Sequence, residues 1–167
     1  MKKVLFIMLF TALSITSANA QFEKGRTTLS ANTSGLDLGL SGVDGLKNFD
    51  FDLGVRGSYF FIDNLAAMAG VGLSIESPDG GSSYTGFSFQ VGAKYHFLDA
   101  LYGGLTYNGI TGTDMDLASF AQIEAGYTYH ISKAVFFEPA LYYQIGLGDM
   151  MKKYGRLGLS LGIGIRL

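Results

Sequence analysis

The sequence predicts an all-β fold, an eight-stranded antiparallel up-and-down transmembrane β-barrel, and three observations lead to this prediction. The 167 residues are 48% hydrophobic and only 16% charged, with a mean hydropathy of +0.26. After residue 20, no run approaches the ~18 to 20 consecutive apolar residues that a membrane-spanning helix needs. Apolar residues instead recur at every second position over eight short segments, which is the period of a strand with two different faces.

Residues 1–20 are predicted to be a cleaved secretory signal peptide. They begin with two lysines at positions 2 and 3, continue with an apolar stretch over 4–13, and end in small residues, Ala-Asn-Ala at 18–20. Cleavage is expected before Gln21, and because Gln21 is not a cysteine, a bacterial lipoprotein is excluded. Residues 21–167 then form a single barrel domain.

The first strand is predicted over 26–34. Leu29, Ala31 and Thr33 occupy odd positions, whereas the next leucines, at 36, 38 and 40, occupy even ones. A bulge or the end of the strand is therefore expected near Gly35. Seven further segments keep apolar residues at odd positions and polar or small residues at even positions: 49–59, 67–76, 87–97, 101–108, 121–131, 135–145 and 156–167.

The connections between these segments alternate in length. Three are tight, at 61–64, 98–100 and 132–134. Four are longer or richer in Gly and Asp, at 36–47, 77–83, 110–117 and 148–153. Short turns at one end and longer loops at the other, joining strands of about ten residues, are typical of a transmembrane barrel.

The odd face carries most of the aromatic side chains and is predicted to face lipid. The interior of an eight-stranded barrel is only just wide enough for side chains to fill it, so the Gly-, Ser-, Thr- and Ala-rich even face fits inside and the aromatic face does not. The aromatic residues lie toward the two ends of the strands, with aliphatic residues between them, as the two membrane interfaces select. A soluble barrel would need a more charged exterior than the even face offers.

With its signal peptide, eight alternating segments, the turn Phe-Ile-Asp-Asn-Leu at 61–65 and the closing strand 158–167, the whole mature chain resembles the small eight-stranded outer-membrane barrels of Gram-negative bacteria. These are the OmpX and OmpA transmembrane-domain type, and the resemblance is greatest to the outer membrane β-barrel proteins common in Bacteroidetes. Such barrels usually end in an aromatic residue that the assembly machinery reads, whereas this chain ends in Leu167.

The resemblance implies a location and a role. It implies a monomer in the outer membrane with both termini in the periplasm, surrounded by lipid and lipopolysaccharide and inserted by the barrel assembly machinery. It further implies a non-enzymatic envelope protein, structural or surface-interacting.

Charged residues on the even face predict a polar, plugged lumen. Acids and bases at similar depth are expected to pair, because an unpaired buried charge is costly. Glu138 and Arg166, on neighbouring strands near the same end, are the pair that the pattern favours. The alternative is a narrow channel for small solutes. The charged residues and histidines concerned are Asp50, Asp52, Glu76 and Arg156 toward the loop end, and Arg56, Lys94, His96, Glu124, His130, Glu138 and Arg166 toward the middle or the turn end.

A catalytic interpretation depends on His130 and Ser132, followed by Glu138, which superficially supply a base, a nucleophile and an orienting acid. Some small outer-membrane barrels are lipid A deacylases or acyltransferases, but in the deacylases the His-x-Ser pair is followed by Asn, where this chain has Lys133. Ser132 also lies in a tight turn, where turn chemistry favours serine. We therefore predict no catalytic residue and keep a lipid A-modifying enzyme as an alternative.

No cofactor, metal or nucleic-acid partner is predicted. The chain has no cysteine, two histidines and a net charge of −2 without a basic patch, which disfavours metal and nucleic-acid sites. The loops carry acids that allow a divalent-cation bridge to lipopolysaccharide, but solvated loop tips are the simpler interpretation. These acids are Asp37, Asp44, Asp114, Asp116 and Asp149.

Overall fold

A computed structural model describes residues 22–37, 49–77, 84–98, 100–112, 115–147 and 155–167. No helix in this part of the chain is long and apolar enough to span a membrane. The strands are β1 (Thr27–Asp37), β2 (Phe49–Ile62), β3 (Leu65–Ser77), β4 (Tyr84–His96), β5 (Leu101–Gly112), β6 (Met115–Tyr127), β7 (Tyr129–His130), β8 (Val135–Leu147) and β9 (Gly155–Arg166).

The strands form one closed antiparallel barrel, which confirms the predicted fold class. The order β6-β5-β4-β3-β2-β1-β9-β8-β7 closes on itself because β6 also pairs with β8. The two residues of β7 continue β6 against β8 in the same register, so the barrel has eight strands, the sixth in two pieces. Closure removes the open edges whose unpaired backbone groups would be costly in lipid.

The break in the sixth strand lies opposite a proline. Gly126 pairs with Ala140, and Tyr129 pairs with Phe137, so Tyr127 lies opposite Pro139. Proline has no backbone N–H and cannot donate to a strand ladder. The alternation over 121–131 predicts a continuous strand, and the missing donor of Pro139 explains the interruption.

The irregularity predicted near Gly35 is confirmed as a bulge. The register between β1 and β9 shifts between Ser34 and Leu36, where Leu36 pairs with Leu159. One extra residue in β1 reverses the relation between position and face, which explains the change of apolar phase. Beyond the bulge, β1 continues to Asp37.

The tight turns lie where they were predicted, but one of the four long connections is wrong. Asn64 closes the turn between β2 and β3 with a φ of 66°, a left-handed conformation that asparagine tolerates better than most residues. The predicted loop at 110–117 is too long, since β5 extends to Gly112 and β6 begins at Met115. The predicted loops at 36–47, 77–83 and 148–153 lie outside the described residues except at positions 36, 37 and 77, which belong to strands. The side chains of the loop acids also lie outside the described part of the structure.

Exposure follows the predicted alternation around the barrel. Odd-numbered Val71, Leu73 and Ile123 are 54%, 57% and 57% exposed. The even-numbered positions beside them are glycines or buried polar residues, such as Ser74, Gln122 and Glu124. An apolar outer face of this kind is what a barrel in lipid presents.

The interior contains more aromatic side chains than the sequence suggested. Phe60, Tyr102, Phe120, Phe136 and Tyr142 are all buried on the even face, and lumen-facing glycines make room for some of them. A Cβ atom at Gly126 would lie 2.5 Å from the ring of its cross-strand partner Tyr102.

Candidate functional site

The middle of the lumen is crossed by an ion pair between Arg56 on β2 and Glu124 on β6. Arg56 Nη1 lies 3.1 Å from Glu124 Oε1, and the two residues are 5% and 2% exposed. Around the eight-stranded barrel, β2 and β6 are four strands apart in either direction. The pair therefore spans the diameter of the lumen.

A second buried ion pair lies closer to the tight-turn end. Lys94 Nζ on β4 lies 2.8 Å from Glu138 Oε1 on β8, and the Thr128 hydroxyl donates to the same oxygen at 2.8 Å. The His96 ring is 3.4 Å from the Thr128 hydroxyl. Four polar side chains, two of them on β4, thus form one hydrogen-bonded cluster across the barrel.

The predicted pair between Glu138 and Arg166 is wrong. Glu138 pairs in register with Gly162, four residues before Arg166 on β9, and its carboxylate binds Lys94. The guanidinium of Arg166 lies 3.2 Å from His130 Nδ1 and donates to the Lys133 carbonyl at 3.2 Å. Arg166 therefore belongs to the turn end of the barrel.

The other charged residues and histidines predicted for the lumen also lie inside. Arg56, Lys94, His96, Glu124, Glu138 and Arg156 are buried, and Asp52, His130 and Arg166 are half-buried. The side chains of Asp50 and Glu76 lie outside the described part of the structure.

Amide side chains extend the network from Glu124 toward the loop end. Gln122 Nε2 donates to Glu124 Oε2 at 3.0 Å, and Gln122 Oε1 accepts from Asn108 at 3.2 Å and from Gln144 at 2.9 Å. Beside them lies a polar cavity of about 70 Å³, whose walls include Asn32, Asp52, Ser88, Gln90, Gln144 and Ser160. The loop half of the lumen therefore contains a polar cavity with room for water molecules.

The turn end of the lumen is filled by Phe22, which sequence reasoning missed. Its ring stacks on His96 with centroids 3.6 Å apart and an angle of 16° between the planes, and it is 5% exposed. Residue 22 precedes the first alternating segment, so periodicity gave no sign of its position. The only available signal was a lone aromatic residue directly after the predicted cleavage point.

His130, Ser132 and Glu138 are each held by different partners. The Ser132 hydroxyl oxygen accepts from the backbone N–H groups of Ala134 and Val135 at 3.3 and 3.1 Å, as expected of a serine that stabilises a turn. Glu138 binds Lys94 and Thr128, and the His130 ring contacts Arg166. Within the described ranges, no group of three or more His, Asp and Glu side chains is placed to hold a metal ion.

No protein-family model and no curated protein matches the chain. Solved structures do match its fold. The N-terminal barrel domain of OprF from Pseudomonas aeruginosa is 19% identical, with a TM-score of 0.60 over 86% of this chain and 98% of that one. OprG from the same organism is 15% identical, with a TM-score of 0.61 over 89% and 99%.

Neisserial surface protein A is 14% identical, with a TM-score of 0.60 over 85% of this chain and 99% of that one. The narrower resemblance to the Bacteroidetes proteins stays a prediction. At these identities the likeness concerns the fold, and the described strands close in the same way. The chain therefore has the fold of the small eight-stranded outer-membrane β-barrels.

Proposed function

We propose that the chain is a non-enzymatic, monomeric barrel of the Gram-negative outer membrane, with a plugged polar lumen and a structural or surface-interacting role in the envelope. The observation that carries this proposal is the ion pair between Arg56 and Glu124, which crosses the full diameter of the barrel. A passage for solutes would have to run through that pair.

The outer surface supports a location in a membrane. Large apolar side chains such as Leu53, Leu105 and Ile163 are 54%, 61% and 55% exposed, and such a band would be costly in water. The solved structures of similar fold come from outer-membrane and surface proteins. Export by the predicted signal peptide, insertion by the barrel assembly machinery and contact with lipopolysaccharide complete the proposal.

Two successive layers support a closed lumen. Arg56 pairs in register with Gly70, whereas Lys94 pairs with Ala66, nearer the turn end of β3. The ion pair of Lys94 with Glu138 is therefore a second barrier. Removing one partner of a buried pair typically costs about 3 to 5 kcal/mol, so each layer is expected to depend on both of its partners.

Conductance in planar bilayers tests the proposal. The wild-type barrel is expected to give no single-channel steps. The double variant Arg56→Ala/Glu124→Ala is expected to conduct only if the second layer, by Lys94→Ala/Glu138→Ala, and the ring that fills the turn end, by Phe22→Ala, are also removed. Lys133→Ala, a change in an exposed turn residue, is the control and should stay silent. Steady steps from the wild-type protein would overturn the closed lumen.

A further inference from the structure

The first described residues of the chain fold back across the turn end of the barrel. The Phe22 carbonyl accepts from the Asn64 N–H at 2.8 Å, and the Gly25 N–H donates to the Phe60 carbonyl at 2.7 Å. The Lys24 N–H donates to Asp63 Oδ1 at 2.8 Å. The backbone of residues 22–25 is thus fixed to the end of β2 and to the turn that follows it.

These bonds place the Phe22 ring inside the mouth of the lumen. It lies 5.4 Å from the Phe60 ring and 5.8 Å from the His130 ring, besides its stack on His96. The guanidinium carbon of Arg166 lies 5.8 Å from the ring centroid. Side chains from β2, β4, β7 and β9 therefore surround one aromatic ring, which we call the aromatic socket, formed by Phe60, His96, His130 and Arg166.

The occupant of the socket is held differently from the rest of the barrel. Residues 22–26 precede β1, which begins at Thr27, so the ring belongs to a short segment outside the strands, held to β2 and its turn by the hydrogen bonds of Phe22, Lys24 and Gly25. With cleavage before Gln21, Phe22 is the second residue of the mature chain. Gly25 has a φ of +89°, which glycine adopts without strain and which lets the segment reverse direction toward the socket.

We propose that Phe22 is a stopper, seated in the aromatic socket, that closes the turn end of the lumen. It lies at the turn end, next to the cluster of His96, Thr128 and Glu138, whereas the ion pair of Arg56 and Glu124 lies further along the barrel. On β2, Ser58 lies between Phe60 at the socket and Arg56 at the ion pair, and it is 3% exposed. Ser58 is therefore a buried position between the stopper and the ion pair of Arg56 and Glu124.

The absence of cysteine from the chain allows a direct test. Ser58→Cys places a single thiol at this buried position, and its rate of reaction with a small charged methanethiosulfonate reagent is measured on the folded mature protein in detergent. With Phe22 present the reaction should be slow. Adding Phe22→Ala should accelerate it by about tenfold or more, which corresponds to ~1.4 kcal/mol in the free energy of opening.

Matched variants separate the stopper from general loosening. Glu23→Ala changes the exposed neighbour of Phe22 and should leave the rate unchanged, while Phe22→Leu should keep most of the protection. A thiol at the exposed turn, Lys133→Cys, should react fast with or without Phe22. Heat-modifiable migration on gels verifies that each variant is folded.

Two results would overturn the stopper: fast labelling of Ser58→Cys with Phe22 in place, or an unchanged rate after Phe22→Ala. The result is separate from that of the conductance experiment. Phe22→Ala should label fast and still give no conductance, because the ion pairs remain. Conductance of the wild-type protein would contradict the proposed closed lumen and leave the labelling comparison valid.

Discussion

Arg56 on β2 and Glu124 on β6 meet at 3.1 Å across the full diameter of the barrel. The two side chains can meet because the flanking lumen positions are small, with glycines at 54, 70 and 72 on β2 and β3. Glu124 also accepts from Gln122, which helps to satisfy the remaining oxygen of the carboxylate. The carboxylate of the pair therefore has one of the additional hydrogen bonds that stabilise a buried ion pair.

The glycine at position 126 is expected to be required for the packing of Tyr102. A Cβ atom there would lie 2.5 Å from the Tyr102 ring, so Gly126→Ala should destabilise the barrel by about 1 to 3 kcal/mol through overpacking. Urea unfolding in detergent measures this. Gly57→Ala is the control, because its added Cβ would approach only the Ala69 carbonyl oxygen, at 3.9 Å, and it should change stability by less than about 0.5 kcal/mol.

A second variant checks that the ring causes the effect. Combining Gly126→Ala with Tyr102→Leu should cost less than the sum of the two single changes, because the shorter side chain vacates the space that the new methyl group enters. Strict additivity of the two changes would contradict this account of the packing.

An arginine on the lipid face should impair insertion in proportion to its depth. Leu161 pairs with Thr33 and Pro139 within the barrel wall, so Leu161→Arg at mid-membrane should cost roughly 2 to 4 kcal/mol. Leu98→Arg at the turn end should cost only about 0 to 1 kcal/mol. Folding yield into vesicles measures both, and equal yields for the two variants would argue against the membrane-spanning orientation of the strands.

Lipid A should be unchanged by this protein. Because Ser132 stabilises a turn and Glu138 binds Lys94, mass spectra of lipid A from cells with and without the gene should show the same acyl pattern. An acyl chain lost or gained only in cells that carry the gene, and absent with Ser132→Ala, would establish the enzymatic alternative instead.

The mature chain should begin at Gln21. The mass of the protein isolated from outer membranes should match residues 21–167, because the small residues at 18–20 suit signal peptidase. A mass that includes residues 1–20 would contradict the signal peptide and would remove the free chain end on which the Phe22 stopper depends.

The sequence predicted the strands and their two faces because each depends on local alternation. The bulge near Gly35 could be predicted in the same way, because the apolar residues change there from odd to even positions. Pro139 was different, because the alternation continues past it and only the opposite strand shows that Tyr127 and Thr128 lie where the ladder is interrupted.

The partners across the lumen could not be predicted in this way. Alternation places Glu138 and Lys94 on the inner face, but their contact depends on which strands oppose one another once the barrel has closed and on how far each strand is staggered. The sequence suggested Arg166 as the partner of Glu138 instead, because the two residues lie on neighbouring strands. The position of Phe22 could not be predicted for another reason, since Phe22 belongs to no strand.

A double-mutant cycle on Arg56 and Glu124 tests the central claim, a lumen closed by contact across its diameter, most directly. Glu124→Gln alone should cost about 3 to 5 kcal/mol, because it leaves a buried guanidinium without its partner. Combined with Arg56→Gln, the cycle should give a coupling energy of about 0.5 to 3 kcal/mol.

The exposed pair of Glu23 and Arg26, 3.7 Å apart with side chains about half exposed, is the matched control and should give less than about 1 kcal/mol. Clear coupling for Arg56 and Glu124, above that of the control, is the predicted result. A coupling energy of zero for Arg56 and Glu124 would contradict the closed lumen.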